Sequence, residues 1–197
     1  MSGLEKATLT RLANDASDTE EGSPIPVQFN PASLKLTITN NTEGGTTTYC
    51  PHGRDPVVEQ MLAMSEAGAG WLNLSPGLDL DVAPEPRSAL GQIFGSRGPT
   101  VPLGTWMPAQ KRRPATAGIE HGEGPKAAHR LDDLGVPVPD HWKVVQDHPK
   151  RGLVVAMPTP QGAAELDGVL AWLVRATGAL CAWPRTGEWR AACYGVG

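Results

Sequence analysis

Five histidines (His52, His121, His129, His141, His148) and three cysteines (Cys50, Cys181, Cys193) are the side chains best able to hold a metal or move a proton near neutral pH. Their spacing argues against both uses. His121 and His129 stand eight apart, and His141 and His148 seven apart, so neither pair matches a helix-face metal motif. No Cys-x2-Cys completes a zinc site. Cys50-Pro51-His52 is the one close Cys/His pair, and a loop turning at proline accounts for it.

Two polar runs remain. In Asp147-His148-Pro149-Lys150-Arg151-Gly152, His148 is a conceivable general base, since a neighbouring carboxylate can fix an imidazole tautomer. Adjacent residues of an extended chain point apart, however, so a solvated hairpin tip is the expectation. His121-Gly122-Glu123-Gly124-Pro125-Lys126 places glycines before a helix start, where backbone N–H groups can meet an anion. It matches neither the Walker pattern nor GxGxxG. No nucleophile elbow, Ser-His-Asp order or paired-carboxylate motif occurs. The expectation is a non-enzymatic chain without cofactor or metal. A small hydrolase or metal enzyme using His121, His129, His141 or His148 is the remaining catalytic option.

The elements that must position these residues are few. Of 197 residues, 23 are glycine and 19 proline, about a fifth of the chain against an average of roughly 12%. Leu, Ile, Val and Phe make up about another fifth, at the border of what a packed core requires. A long helical bundle is excluded, and no apolar run approaches the roughly 18 residues of a membrane span. The formal charge of -4 leaves no basic footprint for nucleic acid. An odd cysteine count at unrelated spacings, and a start Met-Ser-Gly-Leu-Glu-Lys without an apolar signal core, lead to the expectation of a reducing, cytoplasmic setting.

The predicted fold class is α+β, in three parts. Residues 1–48 form an N-terminal antiparallel β segment: Lys6 to Leu12, Ile25 to Phe29, and Leu34, Leu36 and Ile38 alternating with polar residues. Three such strands are too few for an independent core, so they need a partner sheet or a neighbouring subunit. Residues 49–118 form a loop-rich middle. It holds a helix from Asp55-Pro56 to Gly68, an edge strand over Leu78 to Val82, and a linker from Ala109 to Gly118 with the basic triplet Lys111-Arg112-Arg113. Residues 119–197 form a small α+β unit. Its elements are a helix from Lys126 to Leu134 ended by Gly135, strands over Trp142 to Gln146 and Leu153 to Met157 with a six-residue loop, a helix from Ala163 to Cys181, and a strand from Glu188 to Tyr194. Of this unit's tryptophans, Trp172 suits the core and Trp183, beside Pro184, a recognition surface.

The N-terminal residues Gly3-Leu4-Glu5-Lys6-Ala7-Thr8-Leu9, Pro26-Val27-Gln28-Phe29-Asn30-Pro31 and Leu34-Lys35-Leu36 together resemble the start of tube-type proteins of contractile injection systems, the phage-tail-like particles. The resemblance covers about residues 3 to 48, a quarter of the chain. It implies a structural role at the baseplate or tube, a β-barrel domain stacking in a homo-oligomeric ring, and tube, spike or baseplate proteins as partners. The contact residues it points to are Val27, Phe29, Asn30, Pro31, Leu34, Leu36 and Ile38. The remaining barrel strands and the LysM module carried by many such proteins have no counterpart after Thr48. The competing expectation is a protein-interaction module carried by the C-terminal unit, with Trp183 at its surface.

Overall fold

The computed structural model describes residues 35–40, 47–50, 54–79, 81, 101–160 and 162–195. The expected strands at Lys6 to Leu12 and Ile25 to Phe29 lie outside them.

Local chemistry sets the ends of the helices. α1 (Asp55–Ala67) starts with Pro56 in its first turn, and the Val57 and Val58 N–H groups donate to the Arg54 carbonyl at 3.0 Å each. It stops where Gly68 turns left-handed (φ +61), its N–H donating to the Ser65 carbonyl while that of Ala69 donates to Met64. α2 (Ala127–Asp133) ends in the same way, with Gly135 at φ +70 and the Val136 N–H on the Leu131 carbonyl at 2.8 Å. α3 (Ala163–Ala179) carries the predicted apolar stripe: Leu166, Val169, Leu170, Leu173 and Val174 are all buried. The Arg54 guanidinium ties α1 to α3 through Asp167 at 2.9 Å.

Eight strands form one sheet: β1 (Lys35–Asn40), β2 (Thr47–Cys50), β3 (Trp71–Leu78), β4 (Leu103–Met107), β5 (Ala115–Glu120), β6 (Lys143–His148), β7 (Gly152–Met157) and β8 (Arg185–Tyr194). Their order is β2-β1-β8-β3-β4-β5-β7-β6, antiparallel throughout except where β1 runs parallel to β8. Alternate residues of the central strands face α1 and α3 and close the core: Leu72 and Leu74, Trp106, Ala117 and Ile119, Leu153 and Val155, Trp189 and Ala191. The class is α+β, as expected.

Two expectations for the middle of the chain are corrected. The stretch from Ala109 to Gly118 is not a linker. It closes a hairpin between β4 and β5, where Gln110 and Arg113 exchange backbone bonds at 3.0 and 2.7 Å around Lys111, held at φ +47. The basic triplet is its exposed tip. These strands look irregular in sequence because their core positions are small, and they are small because α3 lies close: a Cβ at Gly104 would stand 2.7 Å from Thr177 Oγ1 and 3.1 Å from the Leu173 side chain. The boundary placed between residues 118 and 119 falls inside β5.

Of the edge strand expected from Leu78 to Val82, Leu78 is the last residue of Trp71–Leu78, Asp79 and Asp81 are not in a strand, and Leu80 and Val82 lie outside the described residues. Pro76 and Gly77 look like a break, yet the β3–β8 register shifts between Pro76 and Leu78, and a proline without an N–H is tolerated at such an irregularity. The loop of the β6–β7 hairpin is also shorter than six residues, because Asp147, His148 and Gly152 belong to the strands. Among the described residues no helix is long and apolar enough to cross a membrane.

Candidate functional site

The two polar runs singled out in the sequence meet at one place. β5 alternates inward at Ala115, Ala117 and Ile119, and the same period carries His121 to the inside, where it is fully buried. Its Nδ1 accepts the Glu123 N–H at 3.3 Å, which leaves the proton of the neutral ring on Nε2, and Nε2 has no partner. Burial holds the imidazole below its ordinary value, and the Asp147 and Glu123 carboxylates pull it the other way. Glu123 itself pairs with Arg130 of α2 at 2.9 Å.

Asp147, arriving on β6, does not orient His148. Its two oxygens accept the Ala127 and Ala128 N–H groups at 3.0 Å each, so it caps α2 from twenty residues away. The need for a remote cap is local: Lys126, in the left-handed region at φ +65, precedes the helix and makes no side-chain cap bond. His148 Nδ1 instead accepts the Lys150 and Arg151 N–H groups at 3.1 and 3.3 Å, stapling its own turn. The Asp147–His148 base pair considered from sequence is therefore not assembled. Replacing Asp147 by alanine leaves two donors of a half-buried helix end without partners. A loss of about 1–2 kcal/mol is expected, read as a lowered urea midpoint, and Asp147→Asn should lose less.

Comparison with known proteins finds no match. No family model fits the chain, no curated protein is related to it at a significant level, and no solved structure matches it.

Of the contact residues expected from the N-terminal resemblance, Val27, Phe29, Asn30, Pro31 and Leu34 lie outside the described residues. Leu36 and Ile38 sit in β1, with Leu36 opposite Cys50 and Trp189, and Ile38 opposite Thr48 and Ala191. Trp183 is half-buried, and its carbonyl receives the Cys181 thiol at 3.7 Å. Trp172 is buried, with its Nε1 donating to the Pro137 carbonyl at 2.9 Å and its ring packed edge-on against Trp142. Cys193 is buried on β8, which pushes its thiol up to about 11 and keeps it protonated. Among the described residues no group of three His, Cys, Asp or Glu side chains is placed to hold a metal ion.

One surface feature leaves little trace in the sequence. Trp71 of β3 and Tyr194 of β8 pair directly across the sheet, and their rings stack at 4.8 Å and 11°. Trp71 is 41% exposed and Met107, on the adjoining strand, 39%. Their side of the sheet is the one turned away from α1 and α3, where Thr105 Oγ1 bonds Asn73 Oδ1 at 3.0 Å. The only trace of it in sequence is that aromatic residues bound both β3 and β8.

Proposed function

We propose that this chain is a structural or assembly component of a contractile injection particle, assembled in the cytoplasm and acting through strand pairing and subunit contacts. The particle comes from the resemblance of residues 3 to 48. The mode of contact is supported by one observation, the contrast between the two ends of the sheet. β6, at one end, is guarded: Lys143 opens it, Val145 is an extra residue where the register to β7 shifts, and α2 packs against it. β2, at the other end, is Thr47-Thr48-Tyr49-Cys50, with no lysine, proline or register shift, and among the described residues no strand lies outside it. An unguarded edge is a template for a strand from a neighbour.

Of β1 and β2, only β2 lacks a second neighbour among the described residues. β1 finds its second neighbour, β8, within its own chain, so a neighbouring subunit is not needed to complete it. A second reading, a protein-interaction module, draws on the exposed Trp71 and Met107 and on the half-buried Tyr194 stacked against Trp71.

Consecutive residues of a strand offer their backbone groups to opposite sides, so one of Thr48→Pro and Tyr49→Pro removes only an outward donor. The full chain is expected to co-sediment with tube and sheath proteins, and the outward variant to lose that association while remaining folded by circular dichroism. A chain that stays monomeric and sediments with neither protein would overturn the proposal. Association that survives both proline variants would favour the second reading.

A further inference from the structure

His121 is a buried titratable group that the proposed assembly role does not use, and its surroundings give it a task. Three separate parts of the chain converge on it: the end of β5, the loop leading into α2, and the end of β6. The ring holds the loop through the Glu123 N–H; Glu123 holds α2 through Arg130; and Asp147 of β6 holds the first two amides of α2. The charged groups acting on the ring are Asp147 from β6 and Glu123 from its own loop, with Arg130 of α2 already engaged by Glu123. β7, which pairs with both β5 and β6, carries no charged residue. Lys126 and His129 of the α2 segment are exposed, and His129 pairs with Asp133 at 2.9 Å.

A proton added to this ring must go on Nδ1, because Nε2 already carries one. Nδ1 is where the Glu123 N–H now points, so protonation sets two donors against each other and breaks that bond. It also creates a buried cation on which Asp147 acts most strongly among the carboxylates, ahead of Glu123, which Arg130 already engages. If Asp147 turns to the imidazolium, it leaves the Ala127 and Ala128 amides.

We propose that His121 is an acid-operated latch: neutral, it fastens the loop and α2 to the sheet, and protonated, it draws Asp147 away and frees α2. The direction follows from the burial. The group sits below its ordinary 6.5 in the folded protein, so the unfolded or opened chain takes up the proton first as pH falls. The stability the latch contributes is complete above the unfolded value and is lost as the pH drops below it towards the folded one. This device is independent of the assembly role and can fail or hold without it.

Amide exchange on the full chain tests it. Between about pH 7.5 and pH 5, protection factors at Glu123, Ala127 and Ala128 are expected to fall by roughly tenfold or more, while those of Leu72 and Ala191, in the β3–β8 pair, hold. His121→Asn, which can still accept the Glu123 N–H and does not titrate in this range, should abolish the pH dependence at all three. The same fall in His121→Asn as in the wild type would assign the effect to a carboxylate and overturn the latch. The wild-type ring titration, followed by NMR, serves even if the variant does not fold. A midpoint at or above the ordinary 6.5, or a titration with no linked change at Ala127 and Ala128, also overturns it.

Discussion

Replacing Trp106 by alanine is expected to remove a large share of the protein's stability. Trp106 is fully buried on β4, between Leu72 of β3 and Ala117 of β5, on the face that receives α1 and α3. A buried tryptophan cut back to alanine costs about 3–5 kcal/mol, set against a total of about 5–15 for a domain of ordinary stability. Neighbouring residues cannot fill the space. The adjacent core positions on β4 and β5 are Gly104 and Ala117, and a Cβ at Gly104 would already meet Thr177 and Leu173. The indole carries a handicap of its own, because its Nε1 is buried without a partner, and such a donor costs about 1–3 kcal/mol. Trp106→Phe gives up some packing and sheds that donor, so a net change of less than about 1.5 kcal/mol is expected. Urea unfolding followed by far-UV circular dichroism separates the two. A Phe variant as unstable as the Ala variant would mean that Nε1 finds a partner in solution.

The elements legible in sequence are those whose burial and punctuation agree. α1 announces itself by Asp55-Pro56 and Gly68, α3 by a stripe from Leu166 to Val174, and β7 and β8 by apolar runs between turns. β3, β4 and β5 are the reverse case. They form the middle of the sheet, yet they carry Pro76, Gly77, Gly104, Ala115, Ala117 and Gly118, which composition assigns to loops. Propensity measures how a side chain fits an ordinary pleated surface. Where α3 presses close, as at Gly104, the fit is to a helix and only a small residue is admitted. The polar junction was legible in its parts and not in its assembly. The inward period Ala115, Ala117, Ile119 extends to His121, and α2 has no capping residue of its own, so each run shows a need. Only the β6–β7 hairpin, which returns Asp147 to Ala127, shows how that need is met. The same geometry explains why the His148 base reading fails: the carboxylate beside it in sequence is committed to a helix end.

Gly152→Ala is expected to be the second severe substitution, and it bears on the junction as well as on the fold. Gly152 opens β7 at φ +77, a conformation that costs an alanine about 1–2 kcal/mol. Its new Cβ would also collide with the Ile119 carbonyl oxygen and stand 3.0 Å from Glu120 Cα, backbone atoms with no rotamer in which to retreat. The β5–β7 pair must separate, and a total loss of about 3–4 kcal/mol is expected. Gly135→Ala supplies the control: its φ of +70 imposes the same backbone strain, but nothing lies within 4 Å of the added carbon, so only that strain, about 1–2 kcal/mol, should be lost. The difference between their urea midpoints isolates the contact between strands. Because β5 delivers His121 and the β6–β7 hairpin delivers Asp147, prying the strands apart at Gly152 moves the two halves of the junction relative to each other. Exchange at the Ala127 and Ala128 amides should therefore accelerate in Gly152→Ala beyond what global destabilisation produces, and not in Gly135→Ala. Equal exchange at these amides in the two variants, once corrected for stability, would show that the cap on α2 does not depend on the register of β5 and β7.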